Sequence, residues 1–484
     1  MNPLEDMLAS LHAQTILCVG DVMLDEFIYG EVSRISPEAA TPVLTVSRRE
    51  LRVGGAGNAA RNVGSLGAAC IFVGVVGEDE EGRTLTAQFL EAENVEAHLV
   101  VDAARPTTHK VRYVSEHHST HLLRADWETK VPLRGETEDA VIERALSLLI
   151  RAGVVLLSDY AKGVLTPRVV RTVIEAAQTA GKPIVVDPKG LDYAVYRGAT
   201  LITPNRKELG DAARRPAGTP AEIEAAALEI ARITGSEAVA VTRSEDGMSL
   251  VRRDGRAIHI EAHAVRVRDV SGAGDTVAAV LATCLAMGAD YEAALHAANA
   301  AASIAVGKRG TATVSAGELR ARLLPRAAGQ KIVVDRRSVG ERLQPWREEG
   351  LRIGFTNGCF DLLHPGHIKL LTAARAACDR LVVGLNSDAS VAGLKGRGRP
   401  LQGQQARAEV LGALEAVDLV VIFDEPTPLD LIRDVRPKVL AKGADYRPDQ
   451  VVGRDLVEAD GGELLLVELA TGHSTSDLLT RSRG

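Results

Sequence analysis

Cysteine is scarce and ungrouped in this sequence: the five residues Cys18, Cys70, Cys284, Cys359 and Cys378 are odd in number and lack metal-ligand spacing. They suggest neither a disulfide framework nor a thiolate metal centre, and a reduced, cytoplasmic setting is the natural reading. Long apolar runs are missing too. The longest, Val277 to Ala289, is too short for a bilayer, and Met1 to Gln14 carries Glu5 and Asp6 where a signal peptide has a basic start. No membrane insertion is therefore expected. Basic charge is in deficit, 57 residues against 64 acidic for a net −7, which argues against a nucleic-acid binder and confines any anion site to a local pocket. Low-complexity tracts and internal repeats are also lacking.

What remains is the composition of a soluble globular protein, 46% hydrophobic and 25% charged. Its 484 residues exceed one ordinary core, and the usual domain size gives roughly three domains or two large ones. Through the first 320 residues, short β-branched or aliphatic runs (Thr15–Val19, Ile71–Val76, Val154–Leu157, Pro183–Val186, Leu201–Ile202, Ala238–Val241) alternate with helical patterns such as Glu138–Ala152 and Ala221–Thr234. That alternation predicts an α/β fold with a largely parallel sheet. Two stretches, Glu26–Val46 and Thr107–Trp127, put strand-like segments in succession with no helix between them, as a small β-layer would. Polar, Arg-rich sequence follows Thr311. It predicts a first domain over 1–328, a linker over 329–350, and a second domain over 351–484 whose own alternation starts at Leu351.

Two phosphate motifs of different design stand in the two halves. Asp269-Val270-Ser271-Gly272-Ala273-Gly274-Asp275-Thr276 runs directly into an apolar helix. Small residues there let successive N–H groups of the helix start face one anion, with Asp275 beside them to accept the proton of an attacking hydroxyl. The same residues also suit an ordinary Gly-rich turn with an acidic helix start. In the second half, Gly358-Cys359-Phe360-Asp361-Leu362-Leu363-His364-Pro365-Gly366-His367 follows a strand-like run and brings two imidazoles to a helix start, a ready place for a polyphosphate. The pair is too closely set for the histidines of a zinc protease.

With Gly54-Gly55-Ala56-Gly57-Asn58 upstream and Asn205-Arg206-Lys207-Glu208 after Thr203-Pro204, the first half resembles the ribokinase family of carbohydrate kinases. The resemblance implies a ribokinase-like domain with a small β-lid. Asp21 or Asp25, with Gly54, Gly55 and Asn58, would hold the sugar. Asn205, Arg206, Lys207, Glu208, Gly272, Ala273 and Gly274 would hold ATP, Asn205 and Glu208 would organise Mg2+ indirectly, and Asp275 would be the base. Lys110, Arg112 and Arg124 read first as a solvated strand face and second as a subsite for a phosphate on the sugar.

The string from Thr356 to His367 is similar to the H-x-G-H nucleotidyltransferases, which implies a Rossmann-like domain. His364 and His367 would be catalytic, with Thr356, Asn357, Gly358, Phe360, Lys395, Arg399, Ser474 and Thr475 around the nucleotide. Arg407 would add to a basic phosphate loop. In this order the two halves resemble the bifunctional heptose 7-phosphate kinase/heptose 1-phosphate adenylyltransferases of lipopolysaccharide biosynthesis. That implies ATP in both reactions, small sugar phosphates as substrates and a homodimer. A sugar kinase fused to a cytidylyltransferase, or to a nucleotide-sensing module, is the alternative.

Overall fold

The computed structural model describes residues 10–468 apart from 117–119, 266, 309, 324–330, 334–335, 349, 397 and 445; Ser474 and Thr475 lie outside the described residues. The chain forms two compact units, Met1–Leu324 and Pro325–Gly484.

The first unit contains β1 (Thr15–Gly20), β2 (Val22–Ile35), β3 (Pro42–Gly55), β4 (Ala69–Val76), β5 (Val95–Val101), β6 (His109–Ser115) and β7 (Thr120–Trp127). It continues with β8 (Val154–Ser158), β9 (Ile184–Asp187), β10 (Leu201–Ile202), β11 (Ala238–Thr242), β12 (Met248–Arg252) and β13 (Ala257–Ile260). Nine of these make one sheet in the order β13-β12-β11-β10-β9-β8-β1-β4-β5. It is parallel except for β12 and β13, an antiparallel edge not anticipated from the sequence. Along β1, Ile16 and Cys18 enter one apolar cluster while Leu17 and Val19 enter another, so both faces are covered and the strand reads as an unbroken apolar run. The chain leaves β1 for β4 on one side and takes up β8 on the other. That reversal opens a crevice at the carboxyl ends of β1 and β8, where open α/β sheets bind ligands. The small layer expected from the two helix-free stretches is a four-stranded sheet in the order β3-β2-β6-β7, and Asp21 alone separates β2 from β1.

The second unit contains β14 (Ile332–Val333), β15 (Ile353–Gly358), β16 (Arg380–Asn386), β17 (Leu419–Phe423), β18 (Val439–Gly443) and β19 (Glu463–Val467). They pair in parallel in the order β14-β17-β16-β15-β18-β19. Here the reversal lies at β15, which has β16 on one side and β18 on the other. The stretch 329–350 is not a bare linker. It holds β14 and the helix Val339–Glu348, whose Val339, Leu343 and Trp346 are buried in the second unit's core. Their spacing is that of one helical face, a signal masked by the charged residues between them. Among the described residues no helix is long and apolar enough to cross a membrane.

Candidate active sites

In the first unit the helix Ala273–Ala286 begins at Gly272, whose φ of +79° is open chiefly to glycine, and no side chain caps the start. Its first N–H groups are therefore left facing the crevice, where they suit an anion. Asp275 lies within that first turn and is only 2% exposed. Tyr160 donates its hydroxyl to Asp275 Oδ1 at 2.6 Å and Asn58 donates Nδ2 to Oδ2 at 2.8 Å. Burial pushes the Asp275 carboxyl up to about 6, against the pull of those two donors. At the end of β9, Asp187 is pushed well above the usual carboxylate range by burial and by Asp275 and Glu208. Lys189 pairs with Glu208.

Several sequence-predicted residues meet here in altered roles. Asp25, also buried, pairs with Arg112 at 2.5 Å, and a Cβ on Gly54 would fall 2.2 Å from its Oδ2, so that glycine makes room for the carboxylate. Asp21 does not line an open sugar site. Its carboxylate accepts the backbone N–H groups of Tyr160, Lys162 and Val164. Asn58 spends its amide on Asp275, and Gly55, at φ +60°, has no room for a Cβ beside Asp21 O. Asn205 and Glu208 form a reciprocal capping box on the helix Arg206–Ala213. Arg206 binds Arg243 O and Asp246 beside a separate cavity of about 570 Å3, and exposed Lys207 faces Asp211; neither joins the cluster. Arg112 is enclosed over the Phe27 ring and so is not part of a solvated face, whereas Arg124 is exposed. Burial lowers the Lys110 ammonium, which stands among Asp25, Lys162, Asp126 and Glu128.

In the second unit the turn after β15 places His364 as the uncapped N-cap of the helix Pro365–Ala376. The rings of His364 and His367 stack at 3.8 Å, with Phe360 tilted against His367 at 4.9 Å. Burial, then His364 and Lys395, lowers His367 to about 4. Thr356 Oγ1, Asn357 Oδ1 and His367 Nδ1 are buried without a hydrogen-bond partner among the described residues, as expected of a site built for a polar ligand. Gly358 packs against the Phe360 ring. Arg399 is committed to Asp361 at 2.5 Å. Burial would push Asp361 up, but Leu401 N–H and Arg399 outweigh it and hold it low. Arg407 is not a phosphate ligand. It is fully buried and bonds Gln402 O, Cys359 O and Asp388, tying the loop to the core.

Sequence reasoning missed Tyr160, Asp187, Lys189 and Lys442. Each stands at or just beyond the carboxyl end of a strand one or two places from a switch strand, and Lys442 donates to Asn357 O at 3.0 Å. The available signal was a charged or phenolic residue closing an apolar run, as in Ser158-Asp159-Tyr160 and Val186-Asp187-Pro188-Lys189.

Two sheets, each with an uncapped helix start and polar side chains at its reversal point, define a phosphotransferase joined to a nucleotidyltransferase. The family model described as pfkB family carbohydrate kinase matches residues 13–316, and one described as cytidylyltransferase-like matches 355–463. The bifunctional protein HldE of Bradyrhizobium diazoefficiens is 59% identical over 478 residues, spanning 98% of this chain and 97% of the relative. That of Nitrobacter hamburgensis is 60% identical over 474 residues, 97% of each. The ribokinase of Arabidopsis thaliana complexed with ribose and ATP has a TM-score of 0.52 at 22% identity, covering 64% of this chain and 98% of its own. Escherichia coli phosphofructokinase-2 gives 0.54 at 22%, with 65% and 99% covered. These two show the fold of the first unit. The chain belongs to the HldE family of bifunctional proteins, and is a carbohydrate kinase and nucleotidyltransferase in one polypeptide.

Proposed function

We propose that the first unit transfers the γ-phosphoryl group of ATP to the C1 hydroxyl of D-glycero-β-D-manno-heptose 7-phosphate, with Asp275 as the base. The second unit joins the adenylyl group of ATP to heptose 1-phosphate, releasing pyrophosphate and ADP-heptose. Heptose phosphorylation and adenylyl transfer are the two activities of this family in ADP-heptose synthesis. The observation that carries the residue assignment is the burial of Asp275, a carboxylate held at about 6 beside an uncapped helix start. Close to neutrality it is ionised and basic enough to accept the proton as the O1–P bond forms and the bond to ADP breaks. The helix N–H groups then face the charge developing on the transferred group.

Magnesium would enter the same crevice indirectly, since among the described residues no three carboxylates, imidazoles or thiols converge to hold a metal ion themselves. Asp187, Glu208 and Asp275 face one another there; burial first, then Asp275 and Glu208, push Asp187 far up against the pull of Lys189, and a cation would offset that cost. Since Glu208 already holds Lys189 and the Asn205 N–H, Asn205 and Glu208 would hold the ion through water. Magnesium there would neutralise the ATP phosphates. In the second unit, His364, His367, Thr356, Asn357 and the N–H groups of the helix start bind and orient the triphosphate, while Lys395 adds charge at its edge. We place the protein in the cytoplasm as a homodimer, for which exposed Leu51, Leu123 and Trp127 on the small β-layer offer apolar surface.

The test supplies a panel of sugar phosphates with ATP or CTP to the intact chain and follows ADP and pyrophosphate separately. Asp275→Asn should lower ADP formation by ~10²–10⁴ and spare pyrophosphate release, and His367→Ala should do the reverse with a loss of ~10²–10³. Pyrophosphate formed from CTP in place of ATP would overturn the adenylyl assignment. Near-normal ADP formation by Asp275→Asn would overturn the base.

A further inference from the structure

Asp275 is held by a residue that belongs to neither phosphate motif. Tyr160 leaves the end of β8 and places its hydroxyl 2.6 Å from Asp275 Oδ1. Burial, with Asp275 and Asp187 nearby, pushes the phenol's own ionisation far up, so the hydroxyl keeps its proton and acts as a donor. The main chain around it is constrained. Ala161 has φ +53° and Gly163 φ +95°, a shape that costs energy unless something enforces it. Asp21 does so by accepting the N–H groups of Tyr160, Lys162 and Val164 at 2.9, 3.1 and 3.0 Å.

We propose that Tyr160 is a positioning residue for the kinase step, fixed by the turn that Asp21 gathers, and that it orients Asp275 so that the unused lone pairs of the carboxylate face the sugar hydroxyl. This rests on Asp275 being the base. Each carboxylate oxygen has capacity for about two donors. Tyr160 takes one place on Oδ1 and Asn58 one on Oδ2, which leaves one on each for substrate. The other titratable groups facing Asp275 are Asp25 on β2, Lys110 on β6, Asp187 at the end of β9 and Cys18 on β1. None of these donates a hydrogen bond to it among the described residues. Tyr160 therefore also stabilises the ionised, active form of the base, and its removal must raise the pH at which the base gains a proton.

The experiment measures ADP formation by the full chain against pH, with pyrophosphate release from the same preparation as the control for folding. In Tyr160→Phe the acid limb of kcat should move up by about 1 pH unit, the worth of one hydrogen bond to a charged group, with KM for ATP and sugar held within about twofold. Replacing Tyr160 by 3-fluorotyrosine keeps the shape and strengthens the donor, so the limb should move the other way. An acid limb that stays in place in both proteins overturns the proposal. Asp275→Asn run alongside separates the two ideas. If it loses turnover while the Tyr160 variants keep the wild-type profile, Asp275 remains the base and only the role of Tyr160 fails. If it keeps turnover, the base assignment itself is wrong.

Discussion

His367 shows how far one side chain's setting departs from its composition. A free imidazole titrates near 6.5, but burial beside His364 and Lys395 lowers this one to about 4. Because the charged form is the one disfavoured, the ring is neutral throughout the physiological range and protonates only as the solution turns strongly acidic. Labelled-histidine NMR should find one resonance among the 12 histidines with a midpoint near 4 in the free protein. The midpoint should rise when ATP is added, because a bound anion favours the protonated ring. An ordinary midpoint would mean the pair is solvated. The helix starts that carry His367 and Asp275 were legible in the sequence, marked by a Pro-Gly turn and by a run of small residues that leads into an apolar helix. Tyr160 and Lys189 were not, since their roles depend on β8 standing next to β1 and β9 next to β8 in the sheet, an order that no local pattern records.

The helix Ala273–Ala286 sets the geometry of the first site through its opening turn. At Gly272 a Cβ would meet Asn58 Nδ2, the atom bonded to Asp275, at 2.6 Å, and φ is +79°. Gly272→Ala should therefore cost about 1–2 kcal/mol of stability from the left-handed backbone alone. It should also lower kinase turnover by displacing Asn58, as a thermal melt and an ADP assay would show together. Gly274 is the contrast. Nothing lies within 4 Å of a Cβ there, so Gly274→Ala should fold at least as well as the parent. If ATP phosphates approach that backbone closely, its KM for ATP should rise in the kinase reaction alone; an unchanged KM would move the phosphates elsewhere. The period of the strands and the helix-free β-layer were readable at this scale. The helix Val339–Glu348 was not, because Arg, Glu and Gln outnumber its three buried side chains and hide their spacing.

At the scale of the molecule, the division at residue 324 predicts two separable enzymes. A fragment of residues 1–324 should form ADP and, if the homodimer is built by the kinase unit, show twice its chain mass by light scattering. A fragment of residues 325–484 should release pyrophosphate. One beginning at residue 351 should melt at lower temperature or fail to fold, since it loses Val339, Leu343 and Trp346 from the core, large apolar side chains each worth about 1.5–3 kcal/mol. Equal melting of the two shorter forms would return that stretch to the status of a linker. The position of β14 bears on how the chain is made. All the described strands of the first unit lie before residue 261, so that unit can close its sheet while the rest is still being synthesised. The first described strand of the second unit is Ile332–Val333, yet its partners are Val420 and Val421. On the ribosome its first strand must wait, with its edge unpaired, for most of the unit to emerge. A message cut short before residue 419 would yield a working kinase trailing an open β-edge, the kind of surface on which nascent chains stick to one another.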